Sequence, residues 1–233
     1  MVRIEDDGDL RVVTLDRPER KNALDPDALD ALEAAVVDAS APVVYLRGEG
    51  DVFCAGADFS TVAEIADTGT VEPFVRQGQR VADAIERSSS VVVAGIDGAA
   101  RGGGVELALA CDVRVATPRA TFGEPGVTFG LFGAWGGTVR LPEVVGLGDA
   151  LEFSLSGRVI DAEEALRIGL VSRIADEPRV IAERLTENDP LSLSLIKERI
   201  RDRAPKQSQE DAEVAAFEAL VEANADRLSQ LDG

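Results

Sequence analysis

The sequence predicts an α/β fold: a core of repeated strand–strand–helix units followed by a mainly helical region. Three observations predict it. Short apolar runs such as Val43 to Leu46 and Val91 to Ile96 are bounded by turn residues and read as buried strands rather than helices. Up to about residue 140 such runs alternate with stretches of helical spacing in the order strand, strand, helix, although the letters themselves do not repeat. From Gly133 onward the spacing becomes almost wholly helical, with no low-complexity linker between the two parts. We therefore divide the chain into a core, residues 1–140, and a helical region, residues 141–233.

In chain order, Val2 to Glu5 and Leu10 to Leu15 flank Asp6-Asp7-Gly8-Asp9 and predict a β-hairpin. Asp25-Pro26 is a helix cap followed by proline at the first helical position, and Leu29, Leu32, Val36 and Val37 give Asp27 to Ala39 an apolar face. The strand Val43 to Leu46 leads through Gly48-Glu49-Gly50 into a loop, Phe53 to Asp58. Ser60 to Thr70 is polar and mixed, and Pro73 to Ser88 is helical, with Phe74, Val81, Ala84 and Ile85 on one face. After Val91 to Ile96 come the turn Asp97-Gly98, three glycines at 102 to 104, and a helix to Ala110. Asp112 to Ala116 and Thr121-Phe122 read as strands. Leu141 to Phe153 and Asp161 to Leu166 read as helices, with Gly169 as a C-cap, and Leu170 to Ile174 as one more strand. Pro178 to Thr186, Leu191 to Arg203 and Glu210 to Leu228 are amphipathic helices.

The three glycines organise the chemistry. Without a Cβ the backbone can turn tightly and approach a ligand. The first N–H groups of the helix that follows have no intrahelical partner, and its dipole favours negative charge there. Strand, glycine loop and helix start together point to an anion or oxyanion site. Glu106 stands three residues beyond Gly103, within the first turn, which places a carboxylate beside those donors.

Composition narrows the function. The 233 residues carry 43 acidic and 24 basic side chains, a net charge of −19, which argues against nucleic acid as a partner. Only Lys21, Lys197 and Lys206 among the basic residues are lysine. This balance resembles the acidic, lysine-poor surfaces of proteins from salt-loving organisms, where concentrated salt screens self-repulsion. There is no histidine, which excludes Ser-His-Asp and Cys-His catalysis and removes the commonest metal ligand, so no metal site is expected. Cys54 and Cys111 lie in apolar stretches and read as buried thiols in a reducing cytoplasm. No 18-residue apolar run predicts a membrane span, and the acidic N-terminus does not read as a signal peptide.

A second stretch, Val52-Phe53-Cys54-Ala55-Gly56-Ala57-Asp58-Phe59, combines with the glycine loop into a longer pattern. With Asp16-Arg17-Pro18, Asn22-Ala23-Leu24, Ala120-Thr121-Phe122-Gly123-Glu124-Pro125, Gly136-Gly137-Thr138 and Asp161-Ala162-Glu163-Glu164-Ala165 through Gly169-Leu170-Val171, it resembles the enoyl-CoA hydratase/isomerase (crotonase) superfamily in order from about residue 10 to about 200. The resemblance implies a crotonase-like ββα spiral core and a helical C-terminal region that assembles a homotrimer or a dimer of trimers. It implies an acyl-CoA substrate, coenzyme A being part of that substrate rather than a cofactor, whose thioester carbonyl becomes an enolate. The backbone N–H groups of Ala57 and Gly103 would hold that oxygen. Neither is a side chain, so alanine at either position is expected to look harmless. Glu106 matches the first catalytic glutamate. Ala55, Ala57, Asp58, Phe59 and Gly103 match positions around the thioester, and Arg20, Lys21 and Ala23 match positions near the nucleotide and pantetheine.

The sequence also departs from that pattern. The second glutamate of the hydratases falls at Gly126, which cannot help to hold a water. Glu124, where glutamine is often found, can reach the vacated space or pair with an arginine. The family's basic C-terminal segment is here Glu210 to Arg227 and largely acidic, which leaves the phosphate contacts in doubt. Phe122, Phe129, Phe132 and Trp135 suit either the core or an acyl pocket wall. The expected activity is hydration of a 2-enoyl-CoA. The rival expectations are double-bond isomerisation, thioester hydrolysis or decarboxylation on the same platform, or a catalytically weak acyl-CoA-binding homologue.

Overall fold

A computed structural model describes residues 1–230. The chain begins with an antiparallel hairpin, β1 (Val2–Asp7) and β2 (Leu10–Leu15), followed by helix α1 (Pro26–Val37). The predicted cap is present: Asp25 accepts from Ala28 N at 2.9 Å, with Pro26 in the first turn. Three strand pairs follow, β3 (Val43–Gly48) with β4 (Val52–Cys54), β5 (Val91–Ile96) with β6 (Ala99–Arg101), and β7 (Val113–Ala116) with β8 (Thr121–Gly123). Helices α2 (Phe59–Thr68) and α3 (Val71–Arg87) separate the first two pairs, and α4 (Gly103–Ala110) separates the last two.

Each pair sends its first strand to one sheet and its second to another. The larger sheet has the order β1-β2-β3-β5-β7-β10, parallel apart from β1. The smaller has the order β4-β6-β8-β9, with only β9 antiparallel. Stacking three ββα units in register in this way makes the spiral.

The central strands β2, β3 and β5 of the larger sheet are buried on both faces, which is why they read as near-continuous apolar runs. Leu15, Leu46, Val92 and Ile96 pack into the main core with α1, α3 and α4. The alternate residues Val12, Tyr45 and Val93 pack beneath Ala182 and Leu185.

After residue 136 the chain is mainly helical: α5 (Gly137–Val145), α6 (Leu147–Ser156), α7 (Ala162–Arg167), α8 (Arg179–Thr186), α9 (Pro190–Arg201), α10 (Lys206–Ala223) and α11 (Ala225–Ser229). Two short strands rejoin the core, β9 (Val159–Asp161) against β8 and β10 (Arg173–Ile174) against β7. Several boundaries differ from the sequence reading, and the strand expected over Leu170 to Ile174 is only Arg173–Ile174. The expected helix Leu141 to Phe153 is two helices, because Gly146 adopts φ +80° between them. The polar stretch from Ser60 is helix α2, which buries none of its residues. The helix expected over Glu210 to Leu228 starts at Lys206 and breaks at Asn224.

Candidate active site

The loop after β4 and the start of α4 meet because neither carries side chains at the contact. Gly56 has φ +84°, and a Cβ there would lie 2.7 Å from Arg101 O and 2.8 Å from Gly103 N. Leu24 holds this loop in a parallel bridge: Leu24 N donates to Gly56 O and Asp58 N donates to Leu24 O, at 2.8 and 2.9 Å. That pairing turns the N–H of Ala57, the intervening residue, away from Leu24. Gly103 is the first residue of α4, so its N–H has no intrahelical acceptor. Among the described residues neither Ala57 N nor Gly103 N donates to a protein acceptor. The two expected oxyanion donors are therefore adjacent and available.

Asn22 fixes the loop from beneath. It is buried at φ +54°, Oδ1 accepts from Arg17 N at 2.9 Å, and Nδ2 donates to Glu49 O at 3.0 Å and Val52 O at 2.6 Å. Ala55 N donates to Lys21 O at 3.0 Å, tying the Arg20–Lys21 corner to the same loop. Arg20 and Lys21 are exposed and form no ion pair among the described residues. Ala23 is buried, with both backbone groups bonded, N–H to Arg20 O and C=O to Arg17 Nη1. The Asp58 side chain points inward, where it accepts from Ser60 N and Oγ to cap α2 and lies 3.5 Å from Arg17 Nη2. Phe59 is exposed and packs edge-on against Phe129, with centroids 5.6 Å apart.

Glu106 lies one turn along α4, a helix buried along its whole length. Its Oε1 accepts from Trp135 N and Gly137 N, both at 2.7 Å. Gly133 and Gly137 cover the carboxyl: a Cβ at either would lie 2.8 Å from a Glu106 carboxyl atom. Burial pushes Glu106 up to about 7, opposed by the two backbone N–H groups and by Arg140. The sequence pattern flagged Gly136-Gly137-Thr138 without revealing that Gly137 seats the glutamate. The donors Trp135 N and Gly137 N are backbone groups and leave no side-chain signature.

Gly133 and Gly137 rim a cavity of about 340 Å³ between the loop 124–137 and helices α5 and α6. Its walls are chiefly apolar, with Leu131, Phe132, Leu141 and Leu151 among them. The aromatic cluster divides: Phe132 lines the cavity, Phe129 sits outside on Phe59, and Phe122 and Trp135 are buried in the core. Trp135 packs on Gly103 and edge-on against Phe74. A side chain at Gly103 would collide with the Trp135 ring, so the expectation that alanine is harmless there is corrected.

Glu124 also lines the cavity, buried and without the arginine partner that was one of its two expected fates. Arg101, which packs against Gly123, donates instead to Ala100 O, Thr121 O and Thr121 Oγ1. Burial, and after it the charge of Glu106, pushes Glu124 up to about 8. Gly126 offers no space for a replacement carboxylate. A Cβ there would lie 2.9 Å from Leu131 O, in a turn closed by Leu131 N donating to Gly126 O at 2.8 Å.

The sequence matches the family model for enoyl-CoA hydratase/isomerase over residues 5–228. It is 36% identical over 212 residues to a short-chain-enoyl-CoA hydratase of Clostridium acetobutylicum, covering 85% of this chain and 80% of that one. It is 37% identical over 205 residues to a crotonyl-CoA hydratase of Syntrophomonas wolfei, covering 83% and 78%. The fold matches the crystal structure of an enoyl-CoA hydratase from Bacillus anthracis with a TM-score of 0.90 at 31% identity, over 99% of this chain and 94% of that one. An enoyl-CoA hydratase from Thermoplasma volcanium matches with a TM-score of 0.89, also at 31% identity. With two adjacent free N–H donors, a buried glutamate one helical turn away and a match along nearly its whole length, the chain belongs to the enoyl-CoA hydratase/isomerase family.

Proposed function

We propose that the protein hydrates short 2-enoyl-CoA thioesters to 3-hydroxyacyl-CoA. The observation that carries this reading is the seating of Glu106: a buried carboxylate held by two backbone N–H groups, one turn from the free donor of Gly103. Ala57 N and Gly103 N would hold the thioester oxygen as charge moves onto it, and each such donor is worth about 3 kcal/mol in the transition state. Glu106, poised near neutrality, takes a proton from water as the oxygen attacks the β-carbon. The relatives named as short-chain-enoyl-CoA and crotonyl-CoA hydratases support the choice of substrate. The reaction moves only water and protons, so coenzyme A enters as part of the substrate and no further cofactor is invoked. Arg20 and Lys21, free of ion pairs beside the loop, are the cations placed to meet its phosphates.

The same proposal covers assembly and setting. Val214, Phe217 and Val221 form an exposed apolar stripe at helical spacing on α10, which supports a trimer built through further copies of this chain. Two buried free thiols suit the cytoplasm. Of the three lysines Lys197 is buried, which leaves a surface almost wholly acid and arginine and supports a salt-rich setting. The test is product analysis with purified protein and a panel of acyl-CoA thioesters, alongside Glu106→Gln. The proposal expects 3-hydroxybutyryl-CoA from crotonyl-CoA and a loss of about 10²–10⁴-fold in the variant. Isomerised, hydrolysed or decarboxylated products in place of hydration would transfer the site to its rivals.

A further inference from the structure

Arg140 stands where helix stability does not ask for a cation. Its N–H donates to Gly136 O at 2.9 Å, which places it in the first turn of α5, where the helix dipole opposes positive charge. Its side chain is only 12% exposed and folds back over the helix start. Two acids on α3 hold the guanidinium: Nε donates to Glu86 Oε2 at 2.8 Å and Nη2 to Asp83 Oδ1 at 2.7 Å. The third nitrogen, Nη1, donates to Trp135 O at 3.3 Å. It also lies against Gly136, where φ is +103° and a Cβ would collide with it.

Gly136 is the residue between the two donors that seat the base. Trp135 N and Gly137 N, one on either side of it, both donate to Glu106 Oε1 at 2.7 Å. A glycine there leaves the segment conformationally permissive, so the direction of the two N–H groups must be fixed from outside. The guanidinium supplies that restraint, since it bonds the Trp135 carbonyl and covers Gly136 while α3 holds it in place. The Trp135 ring adds a second hold: a side chain at Gly78 on α3, or at Gly103 with its oxyanion N–H, would collide with it. We infer that Arg140 is a positioning residue of this site: braced by Asp83 and Glu86, it clamps the segment from Trp135 to Gly137 so that both N–H groups meet Glu106.

The clamp favours the Glu106 anion in two ways. It aims two N–H groups at the carboxylate, and the arginine's own charge acts on Glu106 in the same sense. Other charges bear on the pair from three elements. Asp83 and Glu86 face Arg140 from α3, and Arg201 on α9 meets Glu86 at 3.1 Å. The charge of Glu106 bears on Glu124 at the end of β8, and α4 itself brings no further ionisable side chain. Loosening the clamp should therefore let Glu106 keep its proton to higher pH and displace the carboxyl from its working position. Lysine is no substitute, because a single ammonium lacks the planar fork that spans Glu86, Asp83 and the Trp135 carbonyl at once. The effect on rate rests on the hydration reading, whereas the effect on the seating of Glu106 does not.

Infrared titration of the intact protein tests the clamp without any substrate, the band of protonated Glu106 being the one missing from Glu106→Gln. In the wild type that band is expected to fade through about pH 7. In folded Arg140→Lys it should persist to higher pH, and further still in Arg140→Gln, which loses the charge as well. With crotonyl-CoA both variants are expected to lose about 10²-fold in kcat with KM little changed, as a group displaced by about 1 Å does. The acid limb of the kcat profile should move with the infrared midpoint, which a loss of stability alone would leave in place. Should Arg140→Gln not fold, Arg140→Lys decides alone, since it keeps a cation between Asp83 and Glu86. A Glu106 band unchanged in folded Arg140→Lys would overturn the clamp. If the band moves while kcat and its acid limb stay, the effect on rate falls and the hydratase reading stands. If the wild type hydrates no enoyl thioester, the hydratase reading falls, and the infrared band still decides the clamp.

Discussion

Glu106 is the one charged side chain on a helix that is otherwise Gly, Val, Leu and Ala and buried throughout. It and Glu124 both ionise in the fold above the ordinary glutamate value of 4.5, at about 7 and about 8. Between those limits the folded protein keeps protons that the unfolded chain has released, so stability falls as pH rises. The contribution is fully present below about 4.5 and is lost as the pH climbs through 7 and 8. Removing the carboxylate at Glu124 should therefore stabilise. Glu124→Gln is expected to exceed the wild type by on the order of a few kcal/mol at pH 8 and to match it near pH 4. Thermal melting at the two pH values measures this, and a variant that melts lower at pH 8 would show that the fold holds Glu124 as a bonded anion.

At the scale of elements, the turn from Pro125 to Leu131 decides which carboxyl can reach the cavity. Gly126→Glu looks on paper like a repair of the missing glutamate. In the fold its Cβ meets the Leu131 carbonyl, so overpacking should cost about 1–3 kcal/mol and hydration of crotonyl-CoA should not improve. Melting temperature and rate together check this, and a stable variant with faster hydration would refute it. The sequence could show the glycine at 126 but not the carbonyl above it, because that contact joins backbone five residues away through a fold-dependent turn. Local signals fared better: the Asp25-Pro26 cap, the Val91 to Ile96 strand and the glycine start of α4 were legible because each is set by its own residues. The oxyanion pairing of Ala57 and Gly103 came from family resemblance, and its geometry depends on a glycine, Gly56, whose need is visible only once the two loops meet. The buried state of Glu124 was beyond the sequence, which placed it beside Pro125 and left its partner open.

For the whole molecule, the excess of 19 negative charges acts on folding and assembly together. Many arginines are engaged, as Arg140 is with Asp83 and Glu86, and Arg201 with Glu86 and Asp112. The residual repulsion is long-ranged in dilute salt and shrinks as the screening length falls from about 10 Å at 0.1 M to about 3 Å at 1 M. Melting temperature and sedimentation coefficient should therefore both rise across that range if the proposed trimer and salt-rich setting hold, and equal stability and assembly at low salt would contradict that proposal. The central claim is that this molecule adds water to an enoyl thioester with Glu106 as its base. It is tested most directly by incubating purified wild type and Glu106→Gln with crotonyl-CoA in high salt and identifying the product by mass. The account predicts a gain of one water with the wild type and a rate lower by about 10²–10⁴-fold in the folded variant; hydration at an undiminished rate in Glu106→Gln would contradict it.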